Sequence, residues 1–192
     1  MIAIIKYSAG NLASVQNALN RLGATSFISS DPEQIQQADK VIIPGVGAAA
    51  KAMESLKASG LDKVITDLKQ PVLGICLGMQ LLCKSSEEGD VPCLGIFENR
   101  VKEFKGDALV PHMGWNDIQN MKGLMFEGIK EQTDMYFVHS YFVELGSATS
   151  AVCDYIQPFS AALQKDNFYA TQFHPEKSSY AGRRLLQNFL EL

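Results

Sequence analysis

Few side chains in this sequence could act as a nucleophile or base at neutral pH: it has four cysteines and three histidines. Cys76 has the most informative surroundings. In Gly74-Ile75-Cys76-Leu77-Gly78 an apolar run leads in and a helical pattern leads out. This is the strand-to-helix elbow on which hydrolases mount a serine, with cysteine in its place. The turn is sharp and its flanking chains approach closely, which calls for glycine on both sides. The side chain then projects above the carboxyl ends of the strands, where open parallel sheets build their sites. A helix beginning at Leu77 aims unpaired N–H groups and the positive end of its dipole at the sulfur, favouring thiolate over thiol. The Leu77 N–H also points where an oxyanion would form. Alone, the pentapeptide fits a core cysteine at a tight packing point almost as well.

A cysteine nucleophile needs a base, which can be distant in sequence. His174 lies in Gln172-Phe173-His174-Pro175-Glu176, at the end of a predicted strand. In an extended chain residues two apart share a side, so Glu176 can fix the tautomer of His174 and stabilise its protonated form. His112 and His139 have no acid close by in sequence. The His-x-Glu of zinc deaminases requires a downstream Pro-Cys-x-x-Cys, and no cysteine follows Glu176. No two cysteines are separated by only two residues, so neither a zinc knuckle nor a thioredoxin motif fits. Cys83, Cys93 and Cys153 read as small buried hydrophobes.

Gly45-Val46-Gly47-Ala48-Ala49-Ala50 follows the strand-like Val41-Ile42-Ile43 and satisfies the dinucleotide fingerprint Gly-x-Gly-x-x-Ala. A nucleotide-binding module is therefore the rival reading. Pro44 separates strand from glycine, and the acid at the required spacing of about 20 residues, Asp67, falls in a helical pattern rather than at a strand end. The loop's free N–H groups can instead supply the second oxyanion donor opposite Leu77.

The rest of the chain must hold these groups in place. Hydrophobic residues make up 46% and charged residues 20%, with a net charge of −4, which suits a single soluble domain over residues 1–192. Basic residues are scattered, so a nucleic-acid face is not expected. No apolar stretch approaches a membrane span, and residues 1–6 read as a first strand rather than a signal peptide, so a cytoplasmic location is expected. Up to about residue 85 strand and helix alternate, implying a parallel sheet with right-handed crossovers. Leu12, Val15, Leu19 and Leu22 recur at helical spacing before a stop at Gly23, and Asp31-Pro32 reads as a cap with proline at the first helical position. Later runs near 97–104, 136–138, 142–145, 161–164 and 169–173 are strand-like and expected at one edge of the sheet, some antiparallel. Residues 178–192 close as a helix with Tyr180, Leu185, Leu186 and Phe189 facing inward. The expected fold is α/β: an open, mostly parallel sheet flanked by helices, with added antiparallel edge strands.

Pro44-Gly45-Val46-Gly47, Gly74 to Gln80 and His174-Pro175-Glu176-Lys177-Ser178 together resemble the class I glutamine amidotransferases. Gly10-Asn11, residues 111–116 (Pro-His-Met-Gly-Trp-Asn) and residues 136–141 (Tyr-Phe-Val-His-Ser-Tyr) are similar to one branch of it, the glutaminase subunits of imidazole glycerol phosphate synthase in histidine biosynthesis. The resemblance spans the chain in the family's order. It implies Cys76 as nucleophile, His174 as acid and base, and Glu176 as its orienter, with backbone at Val46, Gly47 and Leu77 as the oxyanion hole. It implies Gln80 and the strand His139-Ser140-Tyr141 around the amino-acid end of L-glutamine. Asn11, Trp115 and Lys177 would lie near a synthase (cyclase) subunit in a heterodimer that receives the ammonia. No metal or organic cofactor is expected. Lys6, Ser8 and Ala49 depart from the family's usual residues, which leaves open a paralogue serving another synthase, such as one that aminates a sugar.

Overall fold

The computed structural model describes residues 1–7 and 11–192; Ser8 and Gly10, singled out above, lie outside the described residues. The first part alternates β1 (Ile2–Ile5), α1 (Leu12–Arg21), β2 (Ser26–Ser29), α2 (Pro32–Gln36), β3 (Lys40–Gly45), α3 (Ala49–Ala58), α4 (Leu61–Asp67), β4 (Val72–Cys76) and α5 (Leu77–Leu82). There follow β5 (Ser85–Ser86), β6 (Val91–Pro92), β7 (Arg100–Glu103), β8 (His112–Ile118), β9 (Thr133–His139), β10 (Tyr141–Val143), β11 (Thr149–Tyr155), β12 (Gln157–Lys165), β13 (Phe168–Thr171) and α6 (Ser179–Glu191). The main sheet runs β11-β12-β13-β4-β3-β1-β2. Strands β13, β4, β3, β1 and β2 are parallel, and β12 and β11 extend one edge antiparallel.

The apolar strands bury both faces. Ala3, Ile5, Val41 and Ile43 pack with residues of α2 to α5. Ile4, Ile42, Leu73 and Ile75 face α1, α6 and strand β9. That alternation is the two-residue period of a strand covered on both sides. The local signals act as their chemistry dictates. Asp31 accepts a hydrogen bond from the Glu33 N–H at 2.9 Å, and Gly23, at φ +74, ends α1.

Some expectations need correction. Tyr180 is exposed. The buried stripe of α6 is Gly182, Leu185, Leu186 and Phe189, the spacing of one helical face, and Tyr180 lies on the opposite side of it. The strand expected over 97–104 shrinks to β7. It joins β10, β5 and β6 in a separate four-stranded sheet instead of the main one, while β8 and β9 form their own ribbon. Pro44 and Gly45 lie inside β3, paired with Ile75 and Cys76. Among the described residues no helix is long and apolar enough to cross a membrane.

Candidate active site

The elbow forms where β4 passes directly into α5. Its pivot Cys76 is held at φ 55, ψ −110, a conformation that L-residues adopt only when their surroundings impose it. What imposes it is close packing. A Cβ on Gly78 would lie 1.8 Å from the Ile43 carbonyl oxygen, and one on Gly74 would lie 2.8 Å from Leu82 and 2.9 Å from the Gly78 backbone. Only glycine lets α5 lie this near the ends of β3 and β4.

Strand β13 pairs in parallel with β4, Thr171 opposite Ile75, so the chain leaving β13 arrives beside Cys76. His174 is buried, with its backbone N–H bonded to the Tyr136 carbonyl at 2.9 Å. Pro175 then starts a 3₁₀ turn, Pro175–Lys177. This turn, rather than the extended chain expected from the sequence, brings Glu176 Oε1 to 2.8 Å from His174 Nδ1. Ser178 Oγ braces the turn by donating to the His174 carbonyl at 2.7 Å and accepting from the Tyr136 N–H at 2.9 Å. Burial opposes charge on His174, but Cys76 and Glu176 together outweigh it and raise its pKa above the ordinary value. Among the described residues no atom within hydrogen-bond distance partners His174 Nε2.

Cys76 and His174 share a cavity of about 260 Å³, which Val46, Gly47, Leu77, Gln80, Glu88 and residues 138–141 also line. Leu77 is the first residue of α5, where a helix leaves its N–H groups without intrahelical partners. The sulfur lies 3.8 Å from the Val138 carbonyl oxygen and 3.7 Å from Gln172 Nε2. The structure thus gathers around one cavity all the residues the sequence assigned to nucleophile, base, oxyanion hole and substrate, with Glu176 behind His174.

The side chain of His139 does not reach the cavity with a free nitrogen. Asn116 Nδ2 lies 3.1 Å from the Asp154 carbonyl and 3.3 Å from His112 Nε2. His112 Nδ1 is 3.0 Å from His139 Nε2, and His139 Nδ1 is 2.8 Å from the Tyr141 carbonyl. Carbonyls at both ends can only accept, so every proton in the chain is assigned: both imidazoles are neutral, each with its proton on Nδ1. His139 lines the cavity, but both its ring nitrogens are engaged, one by His112 and one by the Tyr141 carbonyl.

Trp115 and Lys177 lie elsewhere. They border a depression of about 360 Å³ with Arg21, Arg183 and the 175–177 turn. Trp115 packs edge-on against Tyr136 at 5.9 Å, and Lys177 Nζ sits 5.8 Å from the same ring. Asn11 is outside that depression, at the start of α1. Glu88, on the cavity wall, and Gln172, against the Cys76 sulfur, went unassigned in the sequence. Glu88 Oε2 accepts from the Ala49 N–H at the start of α3, at 2.7 Å; no local pattern marks it. Gln172 stands two before His174, and that spacing was its one signal.

Comparison with known proteins places the chain among relatives of known family. The family model for glutamine amidotransferase class-I matches residues 4–192. The imidazole glycerol phosphate synthase subunit HisH of Bacteroides fragilis is 59% identical over 194 residues, covering 100% of this chain and 99% of that protein. The HisH subunit of Vibrio cholerae is 47% identical, covering 100% and 98%. In fold, the chain is similar to a putative GMP synthase subunit from Thermoplasma acidophilum, with a TM-score of 0.76 and 22% identity over 99% of this chain and 92% of that one. The chain belongs to the class I glutamine amidotransferases.

Proposed function

We propose that the chain works as one glutaminase domain over residues 1–192, the subunit of an imidazole glycerol phosphate synthase that supplies ammonia to a cyclase partner. The reading is carried by one observation: Cys76 and the Glu176-bound His174 meet at a single cavity. Similarity to HisH subunits along the full chain supports the choice of partner and of pathway.

In this reading glutamine enters the cavity amide first. The carboxylate of Glu88, on the cavity wall, suits the substrate's ammonium group, and the backbone of 139–141 suits its carboxylate. The Cys76 thiolate attacks the amide carbon. The N–H groups of Leu77 and of the Val46-Gly47 loop stabilise the oxyanion. His174 delivers a proton from Nε2 to the departing ammonia while Glu176 holds the other ring nitrogen. Water activated by His174 then cleaves the thioester to glutamate. Arg21, Trp115, Lys177 and Arg183 form the surface proposed to meet the cyclase, and Asn11, at the other end of α1 from Arg21, would extend it.

Glutamine hydrolysis by Cys76→Ser, assayed with a cyclase and its nucleotide substrate present, is expected to fall by more than about a thousandfold. Full activity in that variant would overturn the reading. Ammonia transfer to an amino-sugar synthase but not to the cyclase would move the subunit to another pathway.

A further inference from the structure

We propose that Gln172 is a positioning residue for the nucleophile: its side-chain N–H is aimed at the Cys76 sulfur by Gln80, which is itself oriented by the Tyr141 carbonyl. The inference rests on the reading of Cys76 as nucleophile. Gln172 does not border the cavity, so it acts through the sulfur and does not touch the substrate.

The orientation follows from which atoms can donate. Gln80 Nε2 is 2.9 Å from the Tyr141 carbonyl oxygen, which can only accept, so the nitrogen of that amide must face it. The second hydrogen on the same nitrogen points to Gln172 at 2.9 Å, so Gln172 must present its oxygen there. Its Nε2 then faces Cys76 Sγ, at 3.7 Å. Flipping either amide would set oxygen against oxygen or N–H against N–H. Gln172 is fully buried and Gln80 nearly so, so no water can take over a lost contact, and the penalty for a flip falls undiluted. The anchor is fixed too, because the Tyr141 carbonyl also accepts from His139 Nδ1. An N–H donated to sulfur stabilises the thiolate relative to the thiol. The wall that receives glutamine is thereby tied to the charge state of the atom that attacks it.

Alkylation by iodoacetamide, followed at the Cys76 peptide by mass spectrometry from acid to alkaline pH, tests this without any turnover. In Gln172→Leu the rate at neutral pH is expected to fall about tenfold while the alkaline plateau stays within about twofold of the parent. Gln172→Met, unbranched and of similar length, serves if the leucine variant does not fold. A folded variant with an unchanged neutral rate would overturn the inference. So would a parallel fall of the plateau, which a purely structural role would give. The nucleophile assignment is tested separately by glutamine hydrolysis in Cys76→Ser, so the two failures are distinguishable.

Discussion

The two walls of the cavity are held by different forces. The elbow wall, from Gly74 to Gly78, is fixed by steric contact: α5 lies so near Ile43 that no side chain fits at position 78. The opposite wall, at 138–141, is fixed by a line of side-chain hydrogen bonds through His139, His112 and Asn116. The contacts that hold the first wall involve backbone and apolar atoms, none of which titrates. The second depends on two imidazoles staying neutral. Position in this site is therefore insensitive to pH at the elbow and sensitive along residues 138–141.

The largest expected effect tests the steric wall. Gly78→Ala must displace the backbone of β3 or α5, and about 3 kcal/mol or more of stability is expected to be lost. Urea melts at several pH values should show the same loss throughout; a strongly pH-dependent loss would break the comparison.

The next effect tests the hydrogen-bonded wall. Burial lowers the pKa of His112 from 6.5 to about 4. Burial lowers that of His139 to about 3, with nearby His112 and His174 adding to the shift against the hydrogen bond to Tyr141. As pH falls below about 6.5 the unfolded chain takes up these protons and the folded one does not. The stability from both groups is thus complete above that pH and is lost as pH falls toward 4 and then 3. Roughly 2–3 kcal/mol per histidine should be gone by pH 4. Asn in place of His112 keeps a donor toward His139 and removes one titrating group. Urea melts of His112→Asn should therefore show a shallower acid slope, and an unchanged slope would count against this account.

The smallest effect concerns the rim. Gly47 sits at φ +100, with no atom of the described residues within 4 Å of where a Cβ would be. Gly47→Ala should then cost only the backbone strain, about 1–2 kcal/mol in a thermal or urea melt. A cost as large as that of Gly78→Ala would mean that the rim, too, is held by contact.

The steric wall was legible in the local sequence; residues 139–141 of the opposite wall were expected there by resemblance, but the hydrogen bonds that hold them were not legible. Glycines around a cysteine between an apolar run and a helical pattern are local signals, and so are Asp31-Pro32 and Gly23. The ribbon of β8 and β9 has no such signature. Strand β8 carries Gly114, Asn116 and Asp117 and alternates poorly, and its pairing with β9 is set by residues distant in the chain. His112 looked inert because its partner is 27 positions away. Glu176 was assigned to His174 with the wrong local geometry, since Pro175 starts a turn here instead of prolonging a strand. Tyr180 is exposed despite its apolar bulk, because two residues along a helix is a turn of roughly 200° away from Gly182 and the buried face.

The pairing of β13 with β4 has a consequence for how the molecule can be followed as it folds. The two strands bring together residues 96 positions apart, Phe168 opposite Val72 and Thr171 opposite Ile75, and a slip of one residue would turn every side chain of β13 to the other face. Helical signal can return while that alignment is still wrong, since long-range pairing forms slowly. Recovered ammonia release after dilution from denaturant would therefore count only those molecules whose strands have met in register.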